Sequence, residues 1–270
     1  MKHRPILAAA SSLAAAVVLA CGLGSTPGNA STTDDGAATA AAAPYDVLVF
    51  SRTAGFRHNS IPTGIAAVQE LGAEHGFTVT ATEDPTTFND ADLADYEVVL
   101  WLSTTGDVLD PGQQAAFERY IQAGGGYVGV HAASDTEYDW PWYGRLVGAY
   151  FNGHPAQQTA TVKVAGRSNP ATQGLPRRWE RFDEWYNFRD YTDGSVRVLA
   201  RLDEKTYDAG ATAMGDDHPI AWCHPYDGGR AFYTGMGHTE ASYQEPEFLS
   251  HLLGGIEQVA GVAKFNCGTD

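Results

Sequence analysis

The sequence predicts an α/β fold with a doubly wound, mostly parallel sheet and an antiparallel extension. In the first half of the chain, short apolar runs rich in β-formers alternate with segments that keep helical spacing. Such alternation is typical of right-handed βαβ units and of a parallel sheet covered on both faces. In the second half, strand-like runs follow one another with few helices between them, which predicts strands added in antiparallel orientation.

The first half contains strands predicted at residues 45–51, 77–82, 97–102 and 127–130. Helices are predicted at residues 60–76, 89–93, 110–122 and 143–149. Asn59 or Ser60 can cap the first helix, and Asp110 followed by Pro111 is typical of a helix start.

The second half contains strands predicted at residues 159–164, 179–187, 196–202, 220–224 and 230–234. Residues 247–259 are predicted to form an amphipathic helix with Phe248 and Leu252 on its apolar side. Two histidines on helices, His75 and His251, are interpreted as surface or capping residues.

The composition bounds the function. With 270 residues, of which 43% are hydrophobic, the chain can bury one sizeable core, and we expect a single folded domain over residues 45–263. The formal net charge is -16, from 17 Lys+Arg and 33 Asp+Glu. Such an acidic surface repels phosphate backbones and anionic lipids, so we expect no nucleic-acid partner and no adhesion to acidic membranes.

The amino terminus has the pattern of an export signal over residues 1–30. Lys2 and Arg4 precede an apolar stretch that is too short to span a membrane. Cleavage before Cys21 would give a membrane-anchored lipoprotein, and cleavage after Ala30 would give a freely secreted protein. Residues 31–44 are predicted to be a flexible linker. Membrane contact is expected only through a lipid anchor at Cys21.

Two further cysteines lie in the folded domain. An oxidising compartment permits a bridge between Cys223 and Cys267. Nothing in the sequence fixes the distance between them, so both the paired and the unpaired states stay open.

A polar cluster follows the strand predicted at residues 127–130, and His131 stands where that strand ends. The carboxyl ends of parallel strands meet at one edge of an α/β sheet, where ligands bind. His58 and His238 follow two other predicted strands. We therefore expect the three imidazoles to lie close together.

Carboxylates share these loops, because Asp135 follows His131 and Glu184 lies in an extended segment that would cross the mouth of the site. His131 could act as a general base or a ligand, with Asp135 or Glu184 orienting its ring. The alternative for His58, His131 and His238 is a buried or capping imidazole without a catalytic role. Imidazoles with a carboxylate are also the usual ligands of an open zinc site, although no HExxH or CxxC spacing supports a divalent metal.

Aromatic residues gather around the same loops and indicate a carbohydrate ligand, because flat rings suit the apolar faces of sugars. Trp140, Trp142 and Tyr186 are the candidates for substrate binding. The alternative is that such residues belong to the core, and the alternation of residues 182–188 would then bury Phe182.

Several motifs together resemble the ThuA-like, or trehalose-utilisation, family, over residues 45–262. They are GFRHNSIP, the long block from GGGYVGVHAASD to FNGHP, DEWYNF, HPIAW and GGRAFYTGMGHT. The resemblance implies a flavodoxin-like fold similar to class I glutamine amidotransferases. In those enzymes a nucleophilic cysteine lies in the sharp turn between a strand and the following helix. This chain has His131 at that position, so glutamine hydrolysis through a thioester is not expected.

The resemblance also implies action on trehalose-like or keto-disaccharides, and some secreted members are labelled glycosyl hydrolases. The site residues that it implies are His58, His131, Asp135, His154, Glu184 and His238. Our hypothesis is an exported carbohydrate-processing hydrolase or lyase. The alternatives are a non-catalytic sugar-binding lipoprotein and a metal-dependent hydrolase of another small substrate.

Overall fold

The computed structural model describes residues 44–191 and 194–268. The predicted export signal, with Cys21, lies outside the described residues, as does nearly all of the predicted linker. The strands are β1 (Tyr45–Phe50), β2 (Phe77–Thr82), β3 (Val98–Leu102), β4 (Gly126–Val130), β5 (Tyr150–Phe151), β6 (Gln158–Val164), β7 (Arg178–Asp183), β8 (Phe188–Arg189), β9 (Arg197–Leu202), β10 (Pro219–Tyr226) and β11 (Gly229–Thr234). The α-helices are α1 (Ile61–His75), α2 (Asp90–Leu93), α3 (Pro111–Gln122), α4 (Pro141–Val147) and α5 (Pro246–Ala260).

The described strands form one large mixed sheet in the order β2-β1-β3-β4-β11-β10-β9-β6-β7, and β5 pairs with β8 in a small second sheet. The pairings from β2 through β11 are parallel. Those from β11 through β7 are antiparallel. The predicted α/β class, with a parallel first half and an antiparallel extension, is confirmed. Strands β3 and β4 are buried along their whole length, as expected for the centre of a sheet covered on both faces.

The predicted helix starts are confirmed in part. Asp110 caps α3, and its side chain and that of Gln113 form a reciprocal capping box. Ser60 occupies the cap position of α1 but makes no side-chain capping hydrogen bond. The fourth helix begins at Pro141 and ends at Val147, and its C-cap Gly148 adopts a left-handed backbone with φ 93°.

The strand predicted over residues 179–187 ends at Asp183. Beyond it the chain leaves the sheet, because the Glu184 amide donates to the Asp183 side chain at 3.0 Å and the Trp185 indole donates to the Gln158 carbonyl. The interpretation that buries Phe182 is wrong, since Phe182 is 51% exposed while its neighbour Asp183 is fully buried. The early strand end places Glu184 in the loop after β7 instead of in a strand.

The disulfide that the sequence left open is present between Cys223 on β10 and Cys267 in the carboxyl-terminal tail, with a Cα–Cα distance of 5.4 Å. The 44-residue separation predicts that breaking the bond costs about 3–4 kcal/mol, because the unfolded chain regains loop entropy. A Cys267→Ala variant should have a free energy of unfolding lower by that amount, as measured by urea unfolding. Adding reductant to the wild type should reproduce the shift, and unchanged unfolding in both cases would contradict the expectation.

His75 is exposed at the end of α1, as expected. The interpretation of His251 as a surface or capping residue is wrong, because its ring is fully buried and its Nδ1 lies 2.7 Å from the Ala171 carbonyl. Helix α5 packs against the sheet on one side and against the short helical turn at residues 170–172 on the other. A helix covered on two sides buries more than its apolar stripe.

Burial lowers the pKa of His251 from 6.5 to about 4. The unfolded chain takes up this proton near pH 6.5, so the native state is fully favoured above that pH and loses stability as the pH falls toward 4. In the wild type this group should remove about 2–3 kcal/mol between pH 7 and pH 4.5. Urea unfolding at the two pH values should show a smaller loss in His251→Gln than in the wild type or in His75→Gln. Equal losses of stability in His251→Gln and the wild type would contradict the lowered pKa of His251 as the cause.

Among residues 44–191 and 194–268, none of the helices has both the length and the apolar character that a membrane crossing needs.

Candidate functional site

Three histidines meet at the carboxyl edge of the parallel strands. His58 follows β1, His131 follows β4 and His238 follows β11. The ring centroids of His58 and His131 lie 4.9 Å apart, those of His58 and His238 lie 5.0 Å apart, and those of His131 and His238 also lie 5.0 Å apart. The three imidazoles therefore form a nearly equilateral triangle, as the strand order predicts.

Glu184 completes this group from the loop after β7. Its Oε2 lies 3.1 Å from Nδ1 of His238 and 3.5 Å from Nε2 of His131. One ligand atom from each of the four residues can be chosen so that all of them lie within 4.8 Å of one another. We call these four residues, His58, His131, Glu184 and His238, the histidine–glutamate cluster.

The backbone fixes His131 in one orientation. The residue is fully buried, and its φ of 52° is in the left-handed region, where the chain turns sharply after β4. Its carbonyl accepts a hydrogen bond of 2.7 Å from the Tyr233 hydroxyl. Its Nδ1 donates to the Gly235 carbonyl at 2.9 Å, so the ring proton is on Nδ1 and the Nε2 lone pair points into the cluster.

The cluster holds more lone pairs than protons. Gln157 donates to Nε2 of His238 at 2.8 Å, so Nε2 is an acceptor and a ring proton lies on Nδ1. That atom faces two acceptors at once, Nε2 of His131 at 3.0 Å and Oε2 of Glu184 at 3.1 Å. Nδ1 of His58 is buried and has no hydrogen-bond partner among the described residues. Converging lone pairs with too few protons suit a bound cation.

The environment keeps these groups in the charge states that metal ligands need. Burial lowers the pKa of His58 from 6.5 to about 3, and the neighbouring imidazoles lower it further, so this ring stays neutral. Burial acts to raise the pKa of Glu184, but its contacts with the rings of His131 and His238 outweigh burial and hold that pKa well below its usual range. A neutral imidazole and an ionised carboxylate are the ligand forms of both residue types.

A second carboxylate on the wall of the site, that of Asp135, has a raised pKa, whereas the pKa of Glu184 is lowered. Burial raises the pKa of Asp135, while the hydrogen bond that the Tyr138 hydroxyl donates to it at 2.5 Å acts against this rise. Asp135 therefore holds a proton to a higher pH than a free aspartate does. Paired titratable groups whose pKa values move apart are typical of acid–base sites.

The cluster opens into a cavity of about 330 Å³. The residues that line it are Phe56, His58, Asp135, Phe151, His154, Glu184, Tyr186 and His238. The Tyr186 ring packs on His131 at 4.1 Å and on Phe151 at 4.3 Å between centroids. His154 lies at the mouth, with its Nδ1 3.3 Å from Oε1 of Glu184. The volume is in the range of sites for small ligands.

The structure brings most of the predicted site residues together. His131 lies beneath the cavity, and His58, Asp135, Glu184 and His238 line it, as do His154 and Tyr186. Their chemical roles stay predictions.

Two predicted substrate-binding residues do not line this cavity. Trp140 is buried, and its indole donates to Glu118 on α3 at 3.0 Å. The indole of Trp142 donates to Asp227 in the β10–β11 turn at 2.8 Å. The two rings stack on each other with centroids 5.2 Å apart. Closeness to His131 in sequence misled the prediction, because the chain turns away from the strand ends before it reaches Trp140.

Sequence reasoning missed two residues of the site. Phe56 lies at the lip of the cavity and is 67% exposed, and its ring contacts His58 edge-on at 4.9 Å. An aromatic residue in a polar loop at a strand end was the available signal. Gln157, which orients His238, gave no signal, because its contact joins positions 81 residues apart.

The sequence also matches the model of a known protein family. A model of the ThuA family, described as trehalose utilisation, matches residues 46–259. The chain belongs to the ThuA family. A comparison with curated proteins found no match.

Solved structures share the fold of this ThuA domain. A putative ThuA-like protein from Bacteroides uniformis is 24% identical with a TM-score of 0.71, over 82% of this chain and 93% of that one. One from Parabacteroides merdae is 21% identical with a TM-score of 0.68, over 84% of this chain and 98% of that one. A β-galactosidase from Bacillus circulans sp. alkalophilus is 13% identical with a TM-score of 0.54, over 81% of this chain and 31% of that one. At these identities the likeness shows the fold alone.

Proposed function

We propose that the chain is a metal-dependent enzyme that processes small carbohydrates, with a zinc-like divalent ion held by the histidine–glutamate cluster. The observation that carries the proposal is the convergence of ligand atoms from His58, His131, His238 and Glu184 beneath a cavity, together with the buried Nδ1 of His58, which has no hydrogen-bond partner among the described residues. Three imidazoles and a carboxylate are ligands that zinc and related first-row metals prefer.

The surroundings of the cluster support a metal over a purely structural role. Nδ1 of His131 donates to a backbone carbonyl, which is the contact that orients metal-binding histidines in many proteins. Burial keeps His58 neutral, and its Nδ1 has no hydrogen-bond partner within the part of the chain that the structure describes. A structural cluster would be expected to pair its buried polar atoms. The opening into the cavity leaves a direction from which a substrate can approach.

The residues around the cluster divide the chemistry between them. A bound divalent ion would polarise a substrate oxygen or acidify a coordinated water. Asp135, with its raised pKa and its Tyr138 partner, is suited to deliver a proton to a leaving group. His154 sits at the opening beside Glu184, where it can contact substrate hydroxyls. Phe56 and Phe151 offer flat apolar surfaces to a sugar ring.

The substrate class and the reaction type are part of the proposal. The family description, trehalose utilisation, supports a disaccharide such as trehalose or its keto form, and a hydrolase or lyase reaction. The Cys223–Cys267 disulfide supports export, because such bonds persist in oxidising compartments. A lipid anchor at Cys21 is compatible with this proposal.

The test is a screen of disaccharides and their 3-keto derivatives, read by mass spectrometry, on native, chelator-treated and zinc-restored protein. We expect turnover of at least one sugar by the native protein, loss after chelation and recovery with zinc. Turnover that persists after complete metal removal would contradict the metal-dependent mechanism. Sugar binding without turnover in every state would instead favour a sugar-binding protein with the same aromatic-lined cavity.

A further inference from the structure

We infer that Asp183 is a positioning residue that holds Glu184 and His238 in the geometry of the metal centre. The inference rests on the proposed function, because it concerns two of the four proposed ligands. Asp183 is the last residue of β7, is fully buried and does not line the cavity. It therefore acts from behind the site.

A single carboxylate joins the two ligand loops. Oδ1 of Asp183 accepts the backbone N–H of Glu184 at 3.0 Å and that of His238 at 3.1 Å. Oδ2 accepts the backbone N–H of Gly237 at 2.9 Å. The loop after β7 and the loop after β11 are thus held by the same carboxylate, although Asp183 lies 54 residues from Gly237 and 55 from His238 in sequence.

The charge of Asp183 is balanced from the side away from the cavity. NH1 of Arg181 lies 3.2 Å from Oδ2 of Asp183, and the Nε of Arg181 donates to Glu245 at 3.0 Å. The Arg181 guanidinium lies over the rings of Trp179 and Phe248. The Ser242 hydroxyl also donates to Oδ2, at 3.3 Å. A cation and several hydrogen-bond donors therefore surround this buried carboxylate and hold it in one orientation.

An asparagine at this position would keep the size but not the hydrogen bonds. Its amide group has one acceptor oxygen, so its NH₂ must face one of the backbone N–H groups, and two donors then oppose each other. Without its acceptor, the Gly237 N–H would move away from residue 183. Gly237 has a left-handed backbone with φ 103°, and the adjacent His238 would move with this residue. Because the carboxylate also fixes the Glu184 amide, at least one ligand would leave its place.

The test compares zinc affinity of the full chain in the wild type, Asp183→Asn and Glu245→Gln, by competition with a chromophoric chelator. We expect Asp183→Asn to bind zinc about 10–100-fold more weakly, as is typical when a residue that orients metal ligands is lost. Its cobalt complex should also show an altered visible absorption spectrum. Glu245→Gln weakens the same ion network from the far side, so it should lower stability but keep zinc affinity within about twofold of the wild type.

The outcomes separate the inference from the proposed function. If the wild type binds no zinc or cobalt, both fail. If the wild type binds and Asp183→Asn matches it in affinity and cobalt spectrum, only the positioning role fails. If Glu245→Gln loses affinity as strongly as Asp183→Asn, the effect belongs to general stability and the inference is also overturned. Should Asp183→Asn not fold, the double variant Arg181→Met/Asp183→Asn removes both buried charges and carries the same expectations.

Discussion

His131→Asn is expected to lose both the metal and the turnover. The lone pair on Nε2 of His131 faces His238 and Glu184, and asparagine has no atom at the position of Nε2. A catalytic metal supplies several kcal/mol of transition-state stabilisation, so its loss should lower turnover by roughly 10³-fold or more. Steady-state kinetics and elemental analysis of the purified protein measure the two effects.

This substitution is chosen so that the fold survives. Asparagine tolerates the left-handed backbone that His131 adopts, and its amide can still donate toward the Gly235 carbonyl. His75→Asn is the matched control, because His75 is exposed at the end of α1 and should change neither quantity. A folded His131→Asn protein with full metal content and wild-type turnover would refute the proposed role.

Asp135→Asn is expected to lower turnover about 10²–10⁴-fold while the metal stays bound, because the variant removes a proton donor and no ligand. The burial that raises the Asp135 pKa also sets the pH dependence. A general acid loses activity as the pH rises through its pKa, so the wild-type profile should fall at a pH above the ordinary range of aspartate. That limb should be missing in the variant.

Asp139→Asn is the control for this prediction, since Asp139 is an exposed carboxylate four positions along the chain. It should retain turnover within a few-fold of the wild type. Comparable loss in both variants, or turnover in Asp135→Asn close to that of the wild type, would show that Asp135 is not the proton donor.

The sequence predicted the convergence of the site because strand topology determines it. His58, His131 and His238 each follow a parallel strand, and parallel strands present their carboxyl ends at one edge. No contact between side chains had to be known for this inference. The alternation of strands and helices predicted the parallel half, and the succession of strand-like runs with few helices between them predicted the antiparallel extension.

The errors arose where tertiary packing decides the direction of a side chain. Trp140 and Trp142 follow His131 closely in sequence, but α3 and the β10–β11 turn bind their indoles away from the cavity. His251 lies on a helix that is covered on two sides, which an amphipathic pattern does not reveal. The Cys223–Cys267 bond depends on a distance that only the folded tail defines.

The hydrogen bonds of Asp183 were also beyond the reach of the sequence. An aspartate before Glu184 in DEWYNF is easily interpreted as a second acid of the site. The structure instead turns its carboxylate toward backbone N–H groups of a loop that is distant in sequence. Nearly every residue type carries a backbone N–H, so the sequence does not show which of these groups a carboxylate will bind.

The most direct test of the metal centre is anomalous diffraction at the zinc absorption edge from crystals of the zinc-loaded chain. The proposal predicts one strong peak per chain, at about 2.0–2.2 Å from a nitrogen of His58, His131 and His238 and from a carboxylate oxygen of Glu184. No peak among these four residues at full zinc loading, or a peak bound elsewhere on the chain, would contradict it.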